Sequence, residues 1–304
     1  IPMSIFQDGF LTRDGKNLLK NKSKGYISYV RGERKNLFPD RLYPDDIIKK
    51  SEYPTKDILG DDVDYKFRYL QIYPSIFTGE QKKVYDSKIS LLEKESRNKL
   101  MLMEENNLSQ ISNIVYPGDI DKPFGKSGLD NIMNIKKGKI NKYTYKSNIY
   151  KKYGPIFDIN IIKNYSTKIK NILDSLIKDK AEGIVFIYSR YIVSGIIPMI
   201  LALEQNGYQK FSNDEILKTD SKKEPISYDG IPISKFKNKQ EFIRGKYIAI
   251  TGDNTISSDY MEEIKVAISE ENKNGEKIKI ILGSEVASEG LDLKNVRSIH
   301  IIDP

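Results

Sequence analysis

The 304 residues include no cysteine, no tryptophan and one histidine, His300. Without thiols there is no disulfide frame, no thiolate nucleophile and no cysteine-based zinc finger. One imidazole cannot furnish a histidine-rich metal site. No run approaches the roughly 18 apolar residues of a membrane helix, and the residues from Ile1 onward carry no signal-peptide pattern. These absences point to a soluble protein of the cytoplasm or nucleus, with no membrane among its partners.

Lysine is abundant: 50 Lys and Arg stand against 42 Asp and Glu, a formal charge of +8. That balance favours a polyanion such as nucleic acid, although a solvated lysine-rich surface produces the same number. With 38 % hydrophobic residues, the length suffices for two ordinary domains.

Along the chain, residues from about Leu11 to Lys20 read as a helix, and Gly25–Val30 alternates like a short strand. A second alternating run reaches Pro74. Thr78 followed by Gln81 has capping-box spacing, ahead of a helix carrying Val84, Ile89, Leu91, Leu92 and Leu100. Residues 118–156 are rich in Gly, Lys, Asn and Tyr and read as a weakly structured connector or insertion. Asp158 is a candidate N-cap for a helix whose apolar face runs from Ile161 to Ile177.

From Gly183 the pattern becomes α/β. "GIVFIYS" is a continuous apolar run between breakers, as in a strand buried on both faces, and "KYIAITG", "KIKIILG" and "RSIHIID" read as three further strands. Helices are predicted at Ser194–Gly207 and from Ser258 to about Glu271. Strand and helix alternating in this way predict a parallel sheet wrapped by helices. Ligand sites of such sheets lie beyond the strands' carboxyl ends. Those ends carry Ser189-Arg190, Thr251-Gly252 and Ser284-Glu285. Hydroxyls, backbone N–H groups and one guanidinium suit phosphates, while small polar residues also serve any strand-to-helix turn.

"IVFIYSR", "YIAITG" and "IKIILGSEVASEGLDLKNVRSIHIIDP" together resemble the second RecA-like lobe of superfamily 2 helicases, from motif IV to motif V. "NKSKGYISYVRGE" with "FPDRLYP" resembles the segment after the first lobe in helicase-like transcription ATPases of large DNA viruses, including poxviruses and giant viruses. The resemblance implies residues 1–60 as the end of a first lobe and an inter-lobe segment, 61–156 as a partly helical insertion, and 157–304 as a second lobe with a RecA-like parallel sheet. It implies Gly290 and Asp292 at ATP. It also implies Ser189, Arg190, Thr251, Gly252, Ser284 and Glu285 along a DNA or RNA backbone. ATP and Mg²⁺ are the implied cofactors, and a viral RNA polymerase is an implied partner in host cytoplasm, viral factory or virion.

No GxxxxGK[ST] loop and no DExx box are read in the chain, nor a QxxGRxxR segment bearing an arginine finger. The expectation is an excerpt of a longer ATPase, inactive alone. The alternative is a non-catalytic module that binds nucleic acid or polymerase. His300 reads as a packed core residue, Glu289 as a surface carboxylate and Glu262-Glu263 as a solvated face. Tyr143, Tyr145, Tyr150 and Tyr153 among lysines could stack bases or pack on the neighbouring lobe, and packing is the preferred reading. Tyr26, Tyr29 and Arg31 could couple two lobes or simply pack.

Overall fold

In the computed structural model, the described residues are 6–7, 10–23, 74–95, 102–118, 120–178, 181–257, 260–288, 293 and 295–303. The predicted strands at 25–30 and before Pro74 lie outside them, as do Tyr26, Tyr29, Arg31, Leu100 and Glu289.

The chain divides into two compact units, Ile1–Arg41 and Leu42–Pro304. In the first, β1 (Phe6–Gln7) and β2 (Phe10–Leu11) pair antiparallel and α1 (Arg13–Ser23) follows. In α1, Asp14 in the first turn and Lys20 and Lys22 in the last complement the helix dipole.

The second unit holds α2 (Gly79–Glu95), α3 (Leu102–Asn113), α4 (Gly125–Ile132), β3 (Met133–Lys136), β4 (Lys142–Tyr145), α5 (Ser147–Tyr153) and α6 (Thr167–Ile177). Then come β5 (Ile184–Tyr188), α7 (Ile197–Gln205), β6 (Gln209–Lys210), β7 (Lys246–Ile250), α8 (Tyr260–Ala267), β8 (Ile280–Gly283) and β9 (Val296–Ile301). Five parallel strands make one sheet in the order β6-β7-β8-β5-β9. This is the α/β architecture expected of a RecA-like fold.

The apolar runs work because each central strand is covered on both faces. Val185, Ile187, Tyr247, Ala249, Ile280 and Leu282 join one core cluster with residues of α6 and α7. Ile184, Ile248, Ile250 and Ile281 join a second cluster with Ile264 and Ala267 of α8. Successive side chains therefore serve opposite faces, as a strand requires. β6 escaped the sequence reading because it is two residues long and both, Gln209 and Lys210, are polar.

The structure differs from the sequence expectations in four places. The helix predicted from Asp158 begins at Thr167, where Ser166 caps it by accepting the Ile169 N–H. Asp158 instead accepts the Asn160 N–H in a turn. The 78–81 capping box is not made. Gln81 is buried, donating to the carbonyls of Ile111 and Ser112 and accepting from the Thr167 N–H and hydroxyl. It joins the end of α3 to the start of α6. Residues 118–156 are ordered rather than weakly structured: Leu129, Ile132, Met133, Tyr143, Tyr145 and Ile149 all lie in the main core. Glu263 is buried beside Glu262, which is exposed as expected. The charge of Glu263 is felt by Lys210, whose ammonium holds the Ile256 carbonyl.

Candidate nucleic-acid and nucleotide site

Parallel pairing brings the carboxyl ends of β7, β8, β5 and β9 side by side, with Ile250, Gly283, Tyr188 and Ile301 in register. The ladder continues one residue further. Ser284 donates its N–H to the Ile250 carbonyl at 3.1 Å, Ser189 to Gly283 at 3.1 Å and Ile302 to Tyr188 at 2.9 Å. Thr251, Ser284 and Ser189 thus stand in one row, followed by Gly252, Glu285 and Arg190. All six described residues singled out from the sequence come together at one edge. Gly290 and Asp292 lie outside the described residues.

The row has two layers. Gly252, Glu285 and Arg190 are exposed, whereas Ser189, Thr251 and Ser284 are buried. The Thr251 hydroxyl turns onto its own loop, 3.3 Å from both the Asp253 carbonyl and its N–H. Asp253 then accepts the Thr255 N–H and hydroxyl at 2.8 and 2.7 Å, which fixes the loop. The outer layer therefore offers the guanidinium and the backbone around Gly252, and the inner hydroxyls brace it.

Asp303, just past β9, organises the other end of the row, and sequence reasoning assigned it no role. Its carboxylate is 4 % exposed. It accepts the Arg190 N–H at 2.8 Å, an Asn113 amide hydrogen at 3.0 Å and the Ser189 hydroxyl through a short bond. The Arg190 guanidinium stays half exposed, 3.8 Å from Asp303, and lies over the Tyr191 ring. A carboxylate at the tip of a predicted buried strand, beside a neighbouring Ser-Arg tip, was the available signal.

Gly195 makes this arrangement possible. Residues Ile192–Ile196 form a single π-helical turn ahead of α7, a rare distortion often found at functional sites. A Cβ at Gly195 would overlap both the hydroxyl and the Cβ of Ser189. Glycine thus lets the turn press directly against Ser189.

Beneath Asp303, the ammonium of Lys168 donates to Ser112 Oγ, Asn113 Oδ1 and the Ile302 carbonyl at 2.9, 2.9 and 2.8 Å. Burial pulls its pKa down to about 8, with the Asp303 charge opposing the fall. Unfolded, Lys168 returns to the ordinary lysine value, so the unfolded chain binds more protons between the two. Stability contributed through Lys168 therefore rises with pH across that window. A Lys168→Met variant lacks this term, so its melting temperature should fall behind the wild type between about pH 8 and about pH 10. The expected divergence is about 1 kcal/mol per pH unit, read by thermal melts in matched buffers. Parallel curves would show that Lys168 does not titrate in the fold.

His300 faces inward on β9, between the exposed Ile299 and Ile301. Burial lowers its pKa and Nε2 has no hydrogen-bond partner, in keeping with packing. Asp214–Leu217 does spell DExx by letters. Asp214 is exposed and Glu215 pairs with Lys222 at 2.8 Å, in a loop before β7 and not on the strand-tip row. Among the described residues no group of three His, Asp or Glu could hold a metal ion. Nor is any helix there long and apolar enough to cross a membrane.

No family model matches the sequence. Over 95 % of its length the chain is 24 % identical to the "Putative ATP-dependent RNA helicase" of Acanthamoeba polyphaga mimivirus, covering 27 % of that protein. Over 96 % it is 26 % identical to the "Putative helicase" of Invertebrate iridescent virus 3, covering 24 %. The chain is thus similar along nearly its whole length to viral proteins named as helicases. Over 98 % it is also 23 % identical to the "Early transcription factor 70 kDa subunit" of Melanoplus sanguinipes entomopoxvirus, covering 38 % of it. Similarity to the helicase-like proteins extends beyond the sheet into the first half of the chain. The chain spans about a quarter to two fifths of the length of these curated relatives.

Proposed function

We propose that this chain is a portion of a nucleic-acid-dependent ATPase of the superfamily 2 kind. It grips the sugar-phosphate backbone and forms one wall of the ATP cleft. The reading rests on the strand-tip row: three Ser/Thr tips on adjacent parallel strands, fronted by Arg190 and the Gly252 backbone. Contacts of this kind fix a strand's position without reading its bases, as a translocating motor needs. Gly290 and Asp292, between β8 and β9, belong to the nucleotide side.

ATP would supply the binding energy for lobe closure, and hydrolysis would release the strand. Mg²⁺ is expected with ATP, and no group of three His, Asp or Glu among the described residues would hold it unaided. The relatives suggest work beside a viral RNA polymerase in the host cytoplasm, on DNA or RNA.

Arg190→Ala should weaken single-stranded oligonucleotide binding by roughly three- to tenfold and reduce the salt slope by about 0.7, the loss of one phosphate contact. Ser284→Ala should weaken it less, since that hydroxyl lies in the inner layer. Fluorescence anisotropy across a salt series reads both. Unchanged affinity in both variants would remove the strand-tip row from the interface. In the full reading frame, Asp292→Ala should lower ATP turnover more than strand affinity.

A further inference from the structure

Between Asp130 and Asp158 there is no acidic residue, while Lys136, Lys137, Lys139, Lys142, Lys146, Lys151 and Lys152 all fall there. The fold sorts this stretch by face. β3 and β4 form an antiparallel hairpin with Met133 opposite Tyr145, Ile135 opposite Tyr143, and Lys136 opposite Lys142. Met133, Tyr143 and Tyr145 are buried, so of the four tyrosines read from the sequence these two pack, whereas Tyr150 is exposed. The other face carries Asn134, Lys136, Lys142 and Thr144.

Two like charges directly opposite on a hairpin destabilise it. Several lysines elsewhere find carboxylates: Lys82 with Asp86, Lys126 with Asp130, Lys178 with Asp174, Lys223 with Asp158. Among the described residues, Lys136, Lys137, Lys139 and Lys142 pair with none. Lys142 donates only to the Glu215 carbonyl, at 2.9 Å. A face that keeps unneutralised, mutually repelling cations on a rigid hairpin is built for an external polyanion.

Its position names the polyanion. The Asn141 N–H, at the hairpin tip, donates to the Thr255 carbonyl at 2.9 Å. Thr255 belongs to the loop that Asp253 pins just after Thr251 and Gly252. The lysine face therefore adjoins the β7 end of the strand-tip row. β4 is also anchored from behind, through Tyr143 N–H to the Ile216 carbonyl and Lys218 N–H to the Tyr143 carbonyl, both 2.8 Å.

We propose that Lys136, Lys137, Lys139 and Lys142 form a second phosphate track that continues the strand-tip row past Gly252. Its partner is the backbone of the same nucleic-acid strand. The proposal rests on the strand-tip reading and extends the length of strand held. Exposed lysines contacting phosphates bind without sequence preference and with steep salt dependence.

The test neutralises Lys136, Lys137 and Lys139 together to Gln; all three side chains are exposed, so the fold should stand. A control neutralises Lys235, Lys237 and Lys239, equally exposed, for the same change in net charge. Anisotropy is measured with single-stranded oligonucleotides of ~6 and ~18 nucleotides over a salt series. The hairpin variant should lose roughly tenfold in affinity for the long oligonucleotide and about 2 in salt slope, the share of three contacts. It should bind the short one like wild type, and the control should change neither. Loss of long-oligonucleotide affinity in variant and control alike would reduce the effect to net charge and overturn the track. If Arg190→Ala weakens binding but the hairpin variant does not, the track falls and the strand-tip row stands. A wild-type chain that binds neither oligonucleotide removes both.

Discussion

Asp303→Ala is expected to destabilise the second unit by about 3–5 kcal/mol, the usual loss when one partner leaves a buried charged network. The carboxylate accepts three hydrogen bonds from two separate elements: the Ser189-Arg190 tip of β5 and Asn113 at the end of α3. Alanine leaves the Arg190 N–H and the Asn113 amide without this acceptor, the Ser189 hydroxyl with only the Tyr191 carbonyl at 3.2 Å, and Lys168 without the opposing charge of Asp303. Each stranded buried donor costs about 1–3 kcal/mol. Asp303→Asn keeps the shape and one acceptor oxygen, but its amide hydrogens confront donors, so about 1–3 kcal/mol should be lost. Denaturant unfolding at fixed pH gives both values, with the midpoint moving and the slope constant. A second readout separates positioning from bulk stability. At a temperature where Asp303→Asn is fully folded, its oligonucleotide affinity and salt slope should match those of Arg190→Ala, because Arg190 is no longer held at the edge. Wild-type binding in a folded Asp303→Asn protein would show that Arg190 finds its place unaided.

The strands were legible because burial on both faces removes polar residues and leaves the unbroken runs IVFIY, YIAI and IIL. Their tips were legible for the complementary reason: polar residues resume where the sheet ends. What could not be read was which polar atoms turn inward. Ser189 and Arg190 are adjacent, yet one is sealed against Asp303 and the other is half exposed. That difference is set by Gly195 and Asn113, remote in sequence. Residues 118–156 misled because lysines on the outer face of β3–β4 masked an inward face of Met133, Tyr143 and Tyr145. Asp158 and Thr78 carried genuine capping chemistry, but caps are spent wherever an unpaired N–H lies within reach. At α6 that place fell to Ser166, and Gln81 was drawn into the core by the Ile111 and Ser112 carbonyls at the buried end of α3.

Glu204→Ala should be as damaging as Asp303→Ala, again about 3–5 kcal/mol, by a route through the hairpin. Glu204 sits on α7 with no exposed surface. Its carboxylate accepts the Tyr247 hydroxyl at 2.5 Å and the N–H groups of Ile216 and Leu217 at 2.8 and 2.6 Å, with Lys222 3.7 Å away. It thereby fixes the 216–218 segment on which β4 is paired. Alanine strands the buried phenol and two amides, and the segment should loosen. Hydrogen exchange at the Tyr143 and Lys218 amides should accelerate more than at the β7–β8 amides, which do not depend on Glu204. Burial also raises the Glu204 pKa, against the opposing pull of Lys222. A carboxyl whose pKa is higher folded than unfolded binds protons preferentially in the native state, so its contribution grows as pH falls toward the ordinary carboxylate value. The stability gap between wild type and Glu204→Ala should therefore widen from about pH 7 to about pH 5. A gap that narrows on acidification would mean that Glu204 is held as a carboxylate stabilised by Lys222 and its three donors, and that the ion pair, not the protonated acid, holds the 216–218 segment in place.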